Sequence, residues 1–551
     1  MIFKVGGVVT SALLLGILLE LQAQIPGARA DFVTNSSGCS FEGIVMEDTP
    51  QKQPVADAMV RLNSDDFGDV EQSIRTGPDG KFCFKNVALG RYRLSAVKPG
   101  FALIQFGSAG PNRPGTAKYL RSGTSISGLE VRLPRTASIA GAVLDKNGSA
   151  IRGVFVDIAR TQRFRGRNGA VLLGTRISDQ QGRFLFDHLL PGQYSVRFRN
   201  EVHVQAEPSD CLIKEAFKTV YYGGSPAVAG AVSVSVHSGE ALMLPKVELE
   251  KEPAPCLRVE IRPKGADTTL SVIQTQGDES LGVFGTPVSS SSGRYVVSGL
   301  TKGSLVAAIG AVAGGGSLIG YVESRVSAED EQTVKMDLPQ RQRLYITPVV
   351  IGSDPNRSTR LSGNISVSVE PRYSANDTHI RSFPIESTAE IHPLVSGEYY
   401  LNITAVPDGT YVEQISLDGV LGYDRQLFLR DGEFEHVLKI HLGTDGGKIQ
   451  GTVKTERART KAGEVAPPIM VVAVPFASRA NPESFKLTQT DESGGFLLNS
   501  LRPGAYTIYA IQDPEFGAES DDGVLRSLTG TRCDVIANGS SILSLTAQMV
   551  Q

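Results

Sequence analysis

A turn motif that returns along the chain is the strongest constraint on its fold. The segments Thr76–Phe84, Asp179–Phe186 and Asp491–Leu498 each contain an Asp, then a Gly, and then a strand of alternating aromatic or apolar residues. Asp accepts hydrogen bonds from the backbone amides just ahead of it, and Gly adopts the positive φ that other residues resist. The motif therefore predicts a β-hairpin corner in each copy.

Each corner leads, through a Gly that follows Pro in two copies, to a tyrosine. Alternate residues of a strand share one face, so the apolar members of each copy should lie in a core between two sheets. The tyrosine should pack its ring inward and leave its hydroxyl near a backbone group, like the tyrosine corner of immunoglobulin-like folds. The residues of this structural repeat are Phe82, Phe84, Tyr92, Phe184, Phe186, Tyr194, Phe496 and Tyr506.

The repeat also predicts several domains. Two weaker copies, Gly293–Leu300 and Ile391–Tyr400, keep the glycine and an aromatic residue. The chain has 551 residues, which is enough for about four or five domains of about 100–150 residues. The motifs place the domains at 31–134, 135–252, 253–340, 341–444 and 445–551. The connecting segments are short, which predicts a rod with limited bending.

The first 30 residues are typical of a secretory signal peptide. Lys4 supplies a positive charge, Val8–Leu19 is almost wholly apolar, and Ala28-Arg29-Ala30 is a cleavage motif. An uncleaved N-terminal anchor is the alternative. We therefore expect a protein that is secreted, at the cell surface or in the periplasm. No later segment is apolar enough to predict a membrane span after signal removal.

The chain contains five cysteines, and export would place them in an oxidising compartment. Cys39 and Cys83 lie near strands of the first domain and form one possible disulfide pair. Cys211 and Cys256 form a second possible pair, which leaves Cys533 over. Sequence alone does not fix disulfide connectivity, and five unpaired thiols are the alternative.

Charge and motifs argue against several functions. The formal net charge of −3 predicts no nucleic-acid partner. His237-Ser238-Gly239-Glu240 matches the first element of a zinc carboxypeptidase site, but it falls in a predicted turn without the other ligands. Asp79, Asp179 and Asp491 have oxygens that suit calcium, although turn capping explains them better. We predict no catalytic residue, metal or cofactor.

The repeat resembles the carboxypeptidase regulatory-like domain, which occurs in tandem arrays in secreted bacterial proteins of the acidobacterial type. The resemblance is strong over 39–134, 138–200 and 448–510, and it is weaker over 256–340 and 360–443. It implies an all-β fold of tandem prealbumin-like or immunoglobulin-like seven-stranded β-sandwiches. The same architecture serves many roles, so the resemblance specifies the fold better than the function.

Two classes of function remain open, and both are non-enzymatic. The first is a structural, adhesive or binding array that acts through its surfaces on polysaccharide or another cell-envelope protein. The alternative is a carbohydrate-binding array, in which an exposed member of a tyrosine pair stacks on a sugar ring. The candidate residues are Tyr221, Tyr222, Tyr399 and Tyr400. A third hypothesis is an accessory subunit of a separately encoded hydrolase or transporter.

Overall fold

The structure is a computed structural model that describes residues 38–549 except for short internal segments. These segments are 65–70, 112, 165–166, 207–209, 263–266, 277, 313–318, 328–330, 338–341, 352–362, 372–378, 395–396, 408, 422–425, 431–434, 456–468, 480–483 and 492. The predicted signal peptide, residues 1–30, lies outside the described residues. No helix within the described ranges has the length and apolar character needed to cross a lipid bilayer.

Sandwich 1, the first two-sheet unit, comprises residues 41–133. Its strands are β1 (Phe41–Glu47), β2 (Met59–Ser64), β3 (Glu71–Arg75), β4 (Lys81–Phe84), β5 (Gly90–Val97), β6 (Ile104–Gln105), β7 (Lys118–Leu120) and β8 (Ile126–Leu133). One sheet has the order β4-β1-β8 and the other β3-β2-β5-β6, with β7 also paired to β5. A continuous apolar core that includes Phe41, Leu62 and Leu133 lies between the sheets.

Sandwiches 2 and 3 follow. Their strands are β9 (Ala137–Asp145), β10 (Phe155–Phe164), β11 (Arg167–Ile177), β12 (Arg183–Leu189), β13 (Gly192–Arg199), β14 (His203–Ala206), β15 (Glu215–Phe217), β16 (Val220–Tyr221), β17 (Val234–Val236), β18 (Ala241–Met243), β19 (Val247–Leu249), β20 (Lys251–Pro253), β21 (Cys256–Arg262), β22 (Thr268–Gln276), β23 (Asp278–Ser290), β24 (Arg294–Ser298), β25 (Leu305–Val312), β26 (Ile319–Arg325) and β27 (Glu331–Asp337). The sheets of sandwich 2 are β12-β9-β18 and β11-β10-β13-β16, with β19 and β17 paired to β9 and β13. The sheets of sandwich 3 are β14-β24-β21-β27 and β23-β22-β25-β26.

Sandwiches 4 and 5 complete the described chain. Their strands are β28 (Gln342–Ile351), β29 (Asn364–Pro371), β30 (His379–Pro384), β31 (Ala389–Leu394), β32 (Gly397–Ala405), β33 (Tyr411–Leu417), β34 (Val420–Leu421), β35 (Gln426–Leu429), β36 (Glu435–Gly443), β37 (Gly447–Lys454), β38 (Ile469–Pro475), β39 (Lys486–Gln489), β40 (Gly495–Leu501), β41 (Gly504–Gln512), β42 (Thr531–Val535), β43 (Ser540–Thr546) and β44 (Gln548–Met549). The sheets of sandwich 4 are β31-β28-β36-β33-β34 and β30-β29-β32-β35. Those of sandwich 5 are β40-β37-β43 and β39-β38-β41-β42, with β44 paired to β41. The helical segments among the described residues are α1 (Asp522–Arg526) and short 3₁₀ turns at Val228–Gly230, Phe476–Ser478 and Ala518–Ser520.

All five sandwiches of the described chain share one pairing scheme around an inner strand of one sheet. Strands β1, β9, β21, β28 and β37 each pair antiparallel with the strand of the turn motif. Each also pairs in parallel with a late strand of its own sandwich. Sandwiches 3 and 4 keep this scheme although their sequence motifs are weak. The structure therefore confirms the all-β prediction of tandem sandwiches.

A close approach to an aromatic ring explains the glycine that opens several copies. Gly43 in β1 lies opposite Phe82 in β4. A Cβ atom at Gly43 would overlap both the Phe82 ring and the carbonyl of Leu129. In sandwich 5, Gly451 lies opposite Phe496 in the same way. Only a residue without a side chain fits beneath the ring, so the glycine and the aromatic residue form one packing unit.

The tyrosines of the repeat combine a buried ring with a satisfied hydroxyl. Tyr92, Tyr194 and Tyr506 are 2, 2 and 4% exposed. Each hydroxyl donates to the carbonyl four residues earlier, in Ala88, Leu190 and Arg502, at 2.9, 2.5 and 2.9 Å. Burial raises the pKa of Tyr506 to about 12, so its hydroxyl stays a donor. The repeat residues Phe82, Phe84, Phe184, Phe186 and Phe496 are also buried.

Strand β14 departs from the domain bounds that the sequence predicts. The predicted domain 135–252 includes residues 203–206, yet β14 pairs with β24 of sandwich 3. The chain then returns to sandwich 2, where β16 pairs with β13. The boundary between these two sandwiches is therefore interlaced, because backbone pairing joins segments that are distant in the sequence.

Sandwiches 1 and 5 touch each other. The Arg113 guanidinium donates to the Asp513 carboxylate at 2.9 Å, and Arg93 donates to Oε1 of Gln489 at 3.0 Å. The side chain of Asp513 is only 7% exposed. This contact disagrees with the extended rod that the short linkers predict, because it brings the two ends of the array together.

Candidate functional site

The structure separates the members of the two tyrosine pairs. Tyr221 and Tyr399 are each 2% exposed, so neither ring can stack on a sugar. The prediction of these two residues as platforms is wrong, because each faces into packed apolar side chains. Tyr222 and Tyr400 are half-buried. They are the members of the predicted binding set that still present part of a ring to solvent.

The packing of Tyr221 shows why its ring is hidden. It contacts Ala159 and Ala170 in a small apolar cluster. These alanines lie on β10 and β11, on the face of the sheet that points away from the main core. Tyr222 packs instead against the main core of sandwich 2. Tyr221 and Tyr222 therefore point to opposite sides of the sheet, as neighbouring residues of an extended segment do. Apolar side chains pack against both of them.

The aspartates of the turn motif are capping residues. Oδ1 of Asp179 accepts from the amides of Gln181 and Arg183 at 2.9 and 2.8 Å. Oδ1 of Asp491 accepts from Ser493 and Gly495 at 2.8 and 2.7 Å. Burial alone would raise the pKa of Asp491, but the hydrogen bond that the Ser493 hydroxyl donates at 2.6 Å, together with the two amide hydrogen bonds, lowers it below its ordinary value. One oxygen of each carboxylate is thus engaged by backbone amides.

Asp79 follows the same pattern in sandwich 1. Its Oδ1 accepts from the Lys81 amide at 3.2 Å, and this hydrogen bond lowers its pKa. Within the described residues, no group of three or more His, Cys, Asp or Glu side chains is placed to hold a metal ion. The geometry supports turn capping at these positions.

His237 and Glu240 bind each other. Nδ1 of His237 lies 2.9 Å from Oε2 of Glu240, and the His237 amide donates to the same oxygen at 2.8 Å. That amide bond is the main cause of the lowered pKa of Glu240. The two side chains close a turn between β17 and β18 and do not converge on an empty position as zinc ligands would.

A buried ionic cluster in sandwich 2 is the main feature that sequence reasoning missed. Asp157 in β10 lies opposite Thr175 in β11 and Arg197 in β13. Its carboxylate accepts from Arg197 at 2.7 Å, from Arg199 at 2.7 Å and from the Thr175 hydroxyl at 2.7 Å. The exposed fraction of Asp157 is 1%. A single acid within the apolar strand FVDIA was the signal available in the sequence.

The arginines set the charge state of this cluster. Burial by itself would raise the pKa of Asp157, but the hydrogen bond and charge of Arg199, with the charge of Arg197, lower it. Arg199 also lies over the ring of Phe155, with 4.9 Å between Cζ and the ring centroid. The two guanidinium groups and the Asp157 carboxylate form a buried ionic cluster, which we call the ionic lock, on the outer face of β10 and β13.

A cleft of about 460 Å³ lies at the junction of sandwiches 1 and 2. Apolar side chains of Met59, Val97, Phe101 and Leu190 contribute to its walls, and Lys98 contributes a charged group. The Lys98 ammonium donates to the carbonyl of Ala56 at 2.8 Å. Arg75 and Asp57 also line the cleft and pair with each other at 2.9 Å, so these three charged side chains already have partners within the protein.

Two disulfides link cysteines that the sequence suggested as pairs. Cys39 and Cys83 are joined, with 5.4 Å between their Cα atoms. Cys211 and Cys256 are joined, with 6.2 Å between their Cα atoms. Cys533 is a free buried cysteine. The first bond lies within sandwich 1, and the second connects the segment after β14 to the first residue of β21.

Comparison with known proteins gives distant structural similarities. No protein-family model matches the sequence, and no curated protein matches it. The minor pilin GBS52 of Streptococcus agalactiae is 12% identical, with 39% of this chain and 97% of that chain covered and a TM-score of 0.22. The TIE protein of Bacillus anthracis is 12% identical, with coverage of 76 and 75% and a TM-score of 0.17.

The major pilin subunit BcpA of Bacillus cereus is 10% identical, with 56% of this chain and all of that chain covered and a TM-score of 0.15. These identities and TM-scores are too low to indicate a function for this chain. The sheets and cores described above define the class of this protein, a tandem array of β-sandwiches.

Proposed function

We propose that this chain is a non-catalytic, secreted structural array that holds binding or adhesive surfaces at fixed relative positions. The observation that supports the proposal most directly is that side chains brace the junctions between sandwiches. Such bracing costs side-chain entropy, and it serves a protein whose domains must keep one arrangement. The resemblance of its repeats to carboxypeptidase regulatory-like domains is compatible with this role.

Arg135 braces the junction between sandwiches 1 and 2. Its guanidinium lies 2.5 Å from the Glu47 carboxylate and 5.2 Å from the centroid of the Phe101 ring. Its backbone amide donates to the Ser238 hydroxyl of sandwich 2 at 2.9 Å. One residue of the linker thus contacts both neighbours, which restricts rotation about the junction.

Two polar pairs brace the junction between sandwiches 4 and 5. The Tyr411 hydroxyl donates to Asp445, in the linker, at 2.7 Å. Burial, and then the hydrogen bond to Asp445, raise the pKa of Tyr411, so the phenol remains protonated. The Arg502 guanidinium of sandwich 5 lies 2.7 Å from the Glu413 carboxylate of sandwich 4.

Small-angle X-ray scattering of the full chain tests the structural role. We expect one well-defined particle for the wild type, and a larger radius of gyration for the double variant Arg135→Ala/Arg502→Ala. Arg262→Ala is the matched control, since Arg262 forms an exposed 2.9 Å ion pair within sandwich 3. Scattering typical of freely jointed domains in all three proteins would contradict the proposal.

A polysaccharide retention assay tests the carbohydrate-binding alternative. The structural proposal predicts that Tyr222→Ala and Tyr400→Ala leave retention unchanged. A loss of retention in either variant would favour a glycan-binding array, because these are the partly exposed rings of the predicted set. Binding of a cell-envelope protein that survives both substitutions would support an adhesive array.

A further inference from the structure

The chain crosses between sandwiches 2 and 3 more than once. After β13 it enters sandwich 3 as β14, where His203 lies opposite Ser298 and Ala206 opposite Tyr295. It returns to pair β16 with β13, and it leaves again after β19. We call the described residues 200–206 and 210–219 the crossover segment. Two successive domains that fold independently need only one connection between them.

Strand β14 occupies a position that is an edge in the other sandwiches. Strands β4, β12, β31 and β40 are each the last strand of their sheet in the described chain. The corresponding strand of sandwich 3, β24, has β14 outside it. An uncovered edge exposes a row of backbone groups that other strands can pair with. The crossover segment covers this edge with a strand that precedes sandwich 3 in the sequence.

The side chains of the crossover segment complete the core of sandwich 3. Val202 and Val204 are 4 and 8% exposed and belong to the same apolar cluster as Leu257 and Val297. The carbonyl of Glu201 approaches Gly299 so closely that a Cβ atom there would overlap it. The contact between the segment and sandwich 3 is therefore apolar and tightly packed, as in the interior of a single domain.

Polar contacts fix both ends of the segment. The side chain of Asn200 accepts from the Phe217 amide at 2.9 Å and donates to the Phe217 carbonyl at 2.5 Å. The hydroxyls of Thr219 and Thr301 lie 2.8 Å apart and are buried. These contacts close the base of the segment against both sandwiches, beside the ionic lock of Asp157.

The second disulfide closes a loop around the return path. Cys211 follows β14, and Cys256 is the first residue of β21. The bond spans 45 residues, and the enclosed chain contains β16 to β19 of sandwich 2. The late strands of sandwich 2 therefore lie within a loop that the Cys211–Cys256 disulfide closes, and Cys256 of that disulfide belongs to sandwich 3.

We propose that sandwiches 2 and 3 fold and unfold as one cooperative unit, assembled by donation of β14 to the edge of β24 and latched by Cys211–Cys256. This inference stands independently of the proposed function. It assigns the crossover segment as an intramolecular partner of the β24 edge. It also distinguishes this junction from the others in the described chain, where no strand lying between two strands of one sandwich joins a sheet of its neighbour.

Hydrogen exchange measured by mass spectrometry on the full chain tests the cooperativity. Val259→Ala truncates a side chain of sandwich 3 that is 0% exposed. We expect exchange to accelerate about tenfold in β22 of sandwich 3 and equally in β10 of sandwich 2, since both open together. Val60→Ala in sandwich 1, also 0% exposed, is the matched control and should leave β10 unchanged. Acceleration in β22 alone would overturn the proposal.

The latch has its own matched pair of variants. Cys211→Ser/Cys256→Ser should accelerate exchange in β14 and β24, whereas Cys39→Ser/Cys83→Ser should affect only sandwich 1. The loops that these disulfides close are similar, at 45 and 44 residues. If Cys211→Ser/Cys256→Ser fails to fold, reduction of the folded Cys39→Ser/Cys83→Ser variant breaks the second bond alone. Unchanged exchange of β14 and β24 after the second bond is broken would refute the latch.

Discussion

Asp157→Asn should destabilise the protein strongly, because two buried guanidinium groups would lose the anion that they share. Asp157, Arg197 and Arg199 are 1, 3 and 9% exposed. Removing one partner of a buried ion pair costs about 3–5 kcal/mol. For a cooperative unit of roughly 200 residues, each kcal/mol lowers Tm by about 2–4 °C, so we expect a decrease of about 6–20 °C.

Differential scanning calorimetry measures this decrease, and Asp179→Asn is its control. Asp179 lies in an exposed turn, and asparagine keeps the oxygen that accepts from the backbone, so the control should change stability by less than about 0.5 kcal/mol. The triple variant Asp157→Leu/Arg197→Met/Arg199→Met should recover most of the loss, since no unpaired charge remains. A loss of unfolding free energy below about 1 kcal/mol in Asp157→Asn would show that the ionic lock does not stabilise the protein in this way.

The pH dependence of Asp157 has a definite sign. Despite burial, Arg199 and Arg197 lower its pKa below the ordinary value of 3.8. A lowered pKa in the folded state stabilises the protein above the unfolded pKa, and this stability is lost as the pH falls towards the folded pKa. The difference in unfolding free energy between the wild type and Asp157→Asn should therefore shrink below about pH 4. Urea unfolding across this range measures the difference, and a constant difference would contradict the charge mechanism.

Three further predictions concern the repeat and the crossover. Tyr506→Phe should lower the unfolding free energy of sandwich 5 by about 1 kcal/mol in a urea titration, through loss of the corner hydrogen bond. Gly451→Ala should cost more than about 2 kcal/mol through overlap with the facing strand, whereas Gly174→Ala, with no atom within 4 Å of its Cβ, should cost little. The Cys211→Ser/Cys256→Ser variant should release about 150 Å more length than the wild type in force spectroscopy, and no added length would contradict the enclosed loop.

The corners and cores were predictable from the sequence because they depend on local chemistry. An aspartate that caps its own turn, as Asp491 does, needs only the residues just after it. Phe184 and Phe186 must share a face because they are two residues apart in a strand. Such features repeat with each copy, so the all-β class and the approximate sites of the sandwiches follow directly.

The contacts between sandwiches were less predictable because they depend on pairing at long range. Arg113 and Asp513 are 400 residues apart, and neither belongs to a repeated motif. The ionic lock left a weak signal, since Asp157 interrupts an apolar strand and Arg197 and Arg199 alternate around Phe198. Charges at such positions predict a buried pair, although nothing in the sequence identifies the partners.

The pattern of β24 explains why sandwich 3 needs a donated strand. Its burial is continuous through Tyr295, Val296 and Val297, whereas β4 and β40 alternate between buried and less buried positions. Continuous apolar runs are typical of strands covered on both faces, and an exposed edge with this composition promotes aggregation. Covering β24 with a segment of the preceding domain removes that edge. The third copy keeps the glycine and the aromatic residue of the turn motif, Gly293 and Tyr295, so β14 is an addition to the pairing scheme that the sandwiches share.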